Sequence, residues 1–217
     1  ANEHNDLKTK FIQNISSQME PTLNTLGASA KDLSAKAPQQ AEQMQAQVAA
    51  LKQFSDDIQE LSLLENSLTE PYEMGEVNAG TFCESVMEKA KEFMKPDVTP
   101  SVNAPKLQVK TNKEQLERIL LYLLKNAAFY TEQGRISLDF KKRGAHTHQF
   151  IITDTGTGIP AEQQENLFKP FTQVKDLTTG DGLGLPICSL IATKMNGSLT
   201  LDTSYTKGCR FILELHA

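Results

Sequence analysis

Asp154-Thr155-Gly156-Thr157-Gly158-Ile159-Pro160 follows an alternating apolar run, and Gly180-Asp181-Gly182-Leu183-Gly184-Leu185 runs into an apolar helical pattern. Glycines adopt positive φ and let a backbone approach a ligand closely, and a helix N-terminus just after them favours phosphate. Either segment alone is a weak signal, because G-x-G also occurs in plain hairpins and bulges. Asp154 at a strand end is equally a simple turn former. Neither segment is a P-loop, since no Gly-Lys-Ser/Thr follows.

The surrounding pattern decides the architecture. Lys113–Ala128 predicts a helix with Leu116, Ile119, Leu120, Leu123 and Leu124 inward, and Asn126 interrupts that apolar pattern. Arg135–Phe140 and Gln149–Thr153 alternate as strands around a turn at Arg143–Thr147, and Leu107–Lys110 is a short strand candidate. Thr81–Lys95 predicts a helix with Phe82, Val86, Ala90 and Phe93 on one face. Pro160 opens a short helix at Ala161–Leu167. Gly182–Met195 predicts another, stopped near Asn196-Gly197, and Ser198–Thr203 with Arg210–Leu215 form a closing hairpin. Segregated helices and mostly antiparallel strands predict an α+β sandwich.

Before a break at Glu65–Gly80, the chain reads as two amphipathic helices. Phe11, Ile15, Met19, Leu23, Leu26, Ala30 and Leu33 form one stripe, and Met44, Val48, Leu51, Phe54, Ile58, Leu61 and Leu64 form the other. The segment Ala35–Gln40 carries Pro38 and no apolar anchor, which suits a turn between antiparallel helices. Two stripes cannot close a core alone, so the pattern predicts a homodimer in which two hairpins form a four-helix bundle, the alternative being that the stripes pack on the rest of the same chain. The expected domains are a helical hairpin at 1–68 and a sandwich at 75–217.

Composition narrows the function. The 217 residues carry 22 Lys+Arg against 27 Asp+Glu, a net charge of −5 with cations scattered singly. That leaves no electrostatic footprint for nucleic acid or an anionic membrane. Three cysteines without metal-ligand spacing point to a reducing compartment without disulfides. The longest apolar run, near Ile119–Leu124, is far short of the ~20 residues of a membrane span. With no signal peptide and no initiator Met, the expectation is a soluble cytoplasmic fragment of a larger, membrane-anchored or multidomain protein.

The order of the Asn126 helix, the Asp154 cluster, Leu167-Phe-Lys-Pro-Phe171 and the Gly180 cluster resembles the ATP-binding domain of sensor histidine kinases, over about residues 107–217. These kinases share a superfamily with gyrase, Hsp90 and MutL. The resemblance implies a Bergerat-type fold that binds ATP with Mg²⁺. Asn126 would hold the Mg²⁺ and Tyr130 would lie beside the adenine. Asp154 would accept the adenine amino group, Gly156 and Gly158 would shape the base pocket, and Gly180, Gly182 and Gly184 would hinge a lid over the phosphates. One fixed carboxylate reading a donor is chemically apt for that role.

The first helix extends the resemblance. Phe11-Ile-Gln-Asn-Ile-Ser-Ser-Gln-Met-Glu-Pro-Thr-Leu23 aligns without gaps to the family's dimerisation and phosphoacceptor box, F-L-A-N-M-S-H-E-I-R-T-P-L. Ser17 stands at the acceptor His and Gln18 at the neighbouring acid, with Glu20 at the Arg and Pro21 at the Thr or Asn linked to dephosphorylation. A Ser hydroxyl needs a base to attack phosphate, and an amide supplies none. His4, ~20 Å along the helix at 1.5 Å per residue, is no substitute. His146 and His148 in a hairpin and His216 at the C-terminus read as solvated surface residues. In the nucleotide domain Tyr122 replaces the first family Asn, Phe129 the phosphate-facing Lys, and Cys209 a hydroxyl near the adenine. Lys125, Lys169 and Lys175 are the candidate replacements for that lost cation.

The resemblance therefore implies the kinase core of a two-component sensor, with a response regulator or receiver domain as partner and a defective autokinase centre at Ser17 and Gln18. The alternative is an active ATP-dependent kinase that passes phosphate to a partner. An ATPase clamp of the gyrase or Hsp90 type would need a general-base Glu near Tyr122, and none is there.

Overall fold

Pro38 has no backbone N–H and a fixed φ, which suits it to the first turn of a helix, and the chain reverses just before it. In the computed structural model, which describes residues 2–172, 177 and 180–216, helix α1 (Asn2–Leu33) and helix α2 (Pro38–Asn66) form an antiparallel hairpin. The Ala37 N–H donates to the Leu33 carbonyl at 2.9 Å across the reversal. Gly27 faces α2, where a Cβ would make ordinary contact with Val48 Cγ1 at 3.7 Å. At the open end Asn66 hydrogen-bonds Thr9, and Lys8 lies 3.7 Å from Glu65.

The predicted stripes are only partly covered within one chain. Leu23, Ala30, Ala41, Val48, Leu61 and Leu64 are buried, whereas Phe11 is 65% exposed and Leu7, Ile15, Leu26, Leu33 and Leu63 also face outward. Pro21 lies inside α1 and removes one backbone donor from its ladder.

The chain divides into two compact units. One comprises residues 1–67 with 166–187, and the other comprises 68–165 with 188–217. The second contains the sheets. Strand β1 (Gly75–Asn78) pairs antiparallel with β3 (Gln108–Thr111), and helix α3 (Ala79–Lys91) begins directly after β1. Strands β2 (Val98–Asn103), β4 (Gly134–Lys142), β5 (Thr147–Asp154), β6 (Gly197–Leu201) and β7 (Arg210–His216) form one sheet in the order β2-β4-β5-β7-β6. Only β2 is parallel to its neighbour.

Helix α4 (Lys113–Tyr130) starts where the Asn112 side chain accepts the Gln115 N–H at 2.9 Å, as a good N-cap should. Its five predicted apolar residues are fully buried, as are Ile136, Leu138, Phe150 and Ile152 of the sheet. At about 25 cal/mol per Å² of apolar surface, these side chains are the main source of stability in this unit.

Several boundaries differ from the sequence reading. β1 falls inside the expected break, and β2 is polar, with Pro100 tolerated because β2 is an edge strand. The helix expected at Ala161–Leu167 is a single turn, α5 (Ala161–Gln164), and helix α6 (Gly184–Lys194) begins at the last glycine of its cluster. His148 is not a solvated surface residue. It is buried, its ring stacked on Phe140 with centroids 5.6 Å apart, and burial lowers its pKa, helped by Lys142 and His146.

Candidate functional site

Asp154 is the last residue of β5, and its carboxylate folds back on the turn that follows. Oδ1 accepts the Gly156 N–H at 2.9 Å and the Cys209 N–H at 3.2 Å. Among the described residues no donor reaches Oδ2. The side chain is buried, and burial pushes its pKa up while the two N–H bonds pull it down. A carboxylate with one oxygen fixed by backbone donors presents its other oxygen in a set direction, as reading a ligand N–H requires.

The backbone around it is pinned by the connection between β6 and β7. The Asp154 N–H donates to the Cys209 carbonyl at 2.8 Å, and the Tyr205 hydroxyl donates to the Asp154 carbonyl at 3.0 Å. Burial, and then the Asp154 charge, push the Cys209 thiol up to about 11, so it stays protonated at neutral pH.

Gly156 is packed against the end of α4. A Cβ there would clash with the Tyr130 carbonyl and come within 2.8 Å of Thr131 Oγ1. The Thr157 N–H donates to that same Tyr130 carbonyl at 3.2 Å. Thr131 is fully buried, and its hydroxyl is unpartnered. Gly158 has φ +72°, a value that favours glycine, and sits against Gly208. Asp154, Gly156, Gly158 and the end of α4 at Tyr130 are thus brought together.

Asn126 is half-buried on α4, one turn before Tyr130. Phe129 and Tyr130 are exposed, their rings meeting edge to face with centroids 4.9 Å apart. Lys125 does not replace the missing cation here, since its ammonium lies 4.4 Å over the Phe93 ring. Lys175 lies outside the described residues, and Lys169 belongs to the other unit.

That other unit holds the second glycine cluster. Gly180 and Gly182 have φ of +139° and +70°. Asp181 Oδ1 accepts the Leu183 N–H at 3.0 Å, and the Ile187 N–H donates to the Leu183 carbonyl at 3.0 Å as α6 begins at Gly184. The Asp57 carboxyl of α2 has Asp181 as an acidic neighbour. Burial first, and this acidic neighbour next, raise the Asp57 pKa to about 7. Ser17 and Gln18 lie exposed on α1, and no hydrogen bond to the Ser17 hydroxyl forms among the described residues.

Tyr205, Gly208 and Thr131 were not legible as site residues. Gly208 reads as an ordinary turn glycine, yet a Cβ on it would come within 2.9 Å of Asp154 Oδ1. The residues fit the base of an adenine nucleotide, with a fixed acceptor, a glycine floor and an aromatic rim. On the described residues of this unit, Phe129 and Tyr130 stand exposed at the end of α4, Phe129 at the position where the resemblance expects a phosphate-facing Lys. Among the described residues no group of three or more His, Cys, Asp or Glu could hold a metal ion, so Asn126 is the one resemblance-implied Mg²⁺ ligand in this unit.

Residues 111–217 match the family of histidine kinase-, DNA gyrase B- and HSP90-like ATPases. The chain is 25% identical over 224 residues to the aerobic respiration control sensor protein ArcB of Escherichia coli (strain K12), covering 97% of this chain and 29% of that protein. It is 35% identical over 126 residues to the sensor histidine kinase RppB of Synechocystis, covering 55% of this chain and 27% of that one. Its fold is similar to full-length ShkA in complex with AMPPNP, with a TM-score of 0.73 at 22% identity over 95% of this chain and 45% of that one. It is also similar to the Acinetobacter baumannii histidine kinase AdeS, with a TM-score of 0.67 at 20% identity over 91% and 96% of the two chains. The chain thus spans under a third of the length of the curated relatives ArcB and RppB.

Proposed function

Since residues 111–217 form a domain of the histidine kinase-, gyrase- and HSP90-like ATPase family and the chain is homologous to sensor histidine kinases, we propose that it is the kinase core of a two-component sensor, deficient in phosphorylating itself. The hairpin at 1–68 serves dimerisation and stands where the phosphoacceptor would be. The region at 75–217 binds adenine nucleotide through Asp154, Gly156 and Gly158 beside Tyr130, with Asn126 as the Mg²⁺ ligand and Gly180, Gly182 and Gly184 as the lid hinge. Its partner is a response regulator or receiver domain, and its compartment is the cytoplasm. Among the described residues no helix is long and apolar enough to cross a membrane.

The observation that carries the pseudokinase reading is at Ser17. Its exposed hydroxyl has no base among its hydrogen-bond partners, and its neighbour Gln18 is an amide. Attack on a γ-phosphorus requires a base to take the hydroxyl proton, and general-base catalysis typically contributes about 10²–10⁴-fold in rate. When bound, ATP would supply the transferable phosphoryl group. What this chain contributes is orientation of the base by Asp154 and a hairpin without a competent acceptor.

Label transfer from γ-³²P-ATP tests this directly. The parent should take up no label, and the double variant Ser17→His with Gln18→Glu is the comparison. Label in the variant alone places the defect in the hairpin. Acid-stable label on Ser17 of the parent overturns the pseudokinase reading in favour of an active kinase.

A further inference from the structure

The paired register of β5 and β7 runs out at Thr153 and Arg210, one residue short of Asp154. On that side Asp154 is held instead by the connection that leads from β6 into β7. Cys209 supplies two of the holds, accepting the Asp154 N–H and donating its own N–H to Oδ1. The third is the Tyr205 hydroxyl, which donates to the Asp154 carbonyl at 3.0 Å. Burial pushes the Tyr205 pKa up, so this hydroxyl is a donor at neutral pH.

Tyr205 is itself fastened. The Arg210 guanidinium lies over its ring, 4.2 Å from the centroid. That guanidinium is fixed in turn, with Nε donating to Thr153 Oγ1 at 3.0 Å and Nη1 lying 3.6 Å from Asp202 Oδ2. Asp202 is set by the turn it opens, where its Oδ1 accepts the Ser204 N–H at 3.0 Å and its carbonyl accepts the Tyr205 N–H at 3.2 Å. A run of contacts from Asp202 through Arg210 to Tyr205 thus ends on the carbonyl of the residue whose carboxylate faces the ligand. Carbonyl and carboxylate share one Cα, so tilting the peptide swings Oδ2 with it. A hydrogen bond weakens steeply as its angle closes, so a fixed carbonyl keeps the free oxygen on aim.

We propose that Tyr205 is a positioning residue for the base-reading carboxylate of Asp154, and that Arg210 holds Tyr205 in that role. This rests on the adenine-site reading above and deepens it. Titration calorimetry of the full chain compares ADP with purine riboside 5′-diphosphate, which is ADP without the amino group. The parent should bind ADP more tightly, because only adenine offers the donor that Asp154 accepts. Tyr205→Phe removes the hydroxyl and leaves the ring against Arg210. It should lower ADP affinity about three- to tenfold, the scale of one hydrogen bond, and leave the deaminated analogue where it was. Arg210→Met should move the ratio of the two affinities in the same direction. In an Asp154→Asn background, Tyr205→Phe should cost ADP nothing more. Equal losses of both ligands in Tyr205→Phe would mean that the hydroxyl serves the fold alone, which overturns the positioning role. So would an unchanged ratio in a protein whose parent prefers ADP, and that result leaves the adenine site standing. A parent that binds the two ligands alike, or neither, sinks the adenine-site reading and the positioning role with it.

Discussion

The Gly156 N–H donates to Asp154 Oδ1 at 2.9 Å, so the carboxylate is held by the turn it begins. The Cys209 N–H, just before the last strand, holds the same oxygen. Orientation of the candidate ligand-reading group is therefore a property of two backbone segments, and its free oxygen is the one a ligand would meet.

Asp154→Asn separates these roles. An asparagine can turn its carbonyl oxygen toward the two N–H donors, which preserves the fold and leaves an NH₂ facing the ligand. The urea midpoint should change little, whereas adenosine affinity should fall by ~1–3 kcal/mol, the cost of a buried group left unpaired. Calorimetry and urea unfolding on one preparation give both quantities; retained affinity refutes the acceptor role.

Gly156→Ala should be far more damaging than its single methyl suggests. The new Cβ meets the Tyr130 carbonyl and lies 2.8 Å from Thr131 Oγ1, both in packed backbone regions. Forcing a methyl into such a site costs about 1–3 kcal/mol. Urea unfolding should register that loss, while Gly75→Ala, where a Cβ meets nothing within 4 Å, is the contrasting control.

Asp57 predicts how the helical hairpin responds to pH. Its folded pKa, raised to about 7, lies well above the ordinary carboxylate value, so between the two the folded state holds a proton that the unfolded state has released. Stability therefore falls as pH rises through this window, and above it the deprotonated Asp57 faces Asp181 and Glu60 at a cost. The group is only half-buried, so solvent screening reduces the effect. Between about pH 5 and pH 8 the urea midpoint should drop more in the parent than in Asp57→Asn. Equal drops would mean that Asp57 does not titrate in this range.

Phe11 and Ile15 predict the oligomeric state. Both are exposed on α1 in line with the buried Leu23 and Ala30, leaving an apolar stripe uncovered within one chain. Light scattering at micromolar concentration should give about twice 24.0 kDa. Phe11→Glu with Ile15→Glu should give the monomer mass, because charges introduced into a helix–helix seam lose their hydration without partners. A monomeric parent would remove the bundle.

Strongly periodic elements were legible in the sequence, because their signal is the burial itself. Leu116, Ile119, Leu120, Leu123 and Leu124 announce α4 at a helical period, and Phe150 and Ile152 announce β5 by alternation. Strands β1 and β2 were not legible. Gly-Glu-Val-Asn and Val-Thr-Pro-Ser-Val-Asn are too short and polar to carry a pattern, and their pairing partners supply the order that their side chains do not specify. His148 was misread for the same reason: its strand exposes some positions and buries others, and only the sheet beside Phe140 decides which.

The sequence by itself determined that Asp154 stands at a strand end before glycines, that Asn126 and Phe129 share a helix, and that Ser17 and Gln18 are not His and Glu. Those are facts of residue identity and spacing. Only the tertiary structure decided that Oδ1 of Asp154 is held by the N–H of a residue 55 positions away, that Tyr205 secures its carbonyl, and that Gly208 must lack a side chain. Backbone donors carry no residue signature, and close approach between distant segments leaves no mark on local periodicity. The part of the site built from main chain becomes visible only once β5 and β7 are paired.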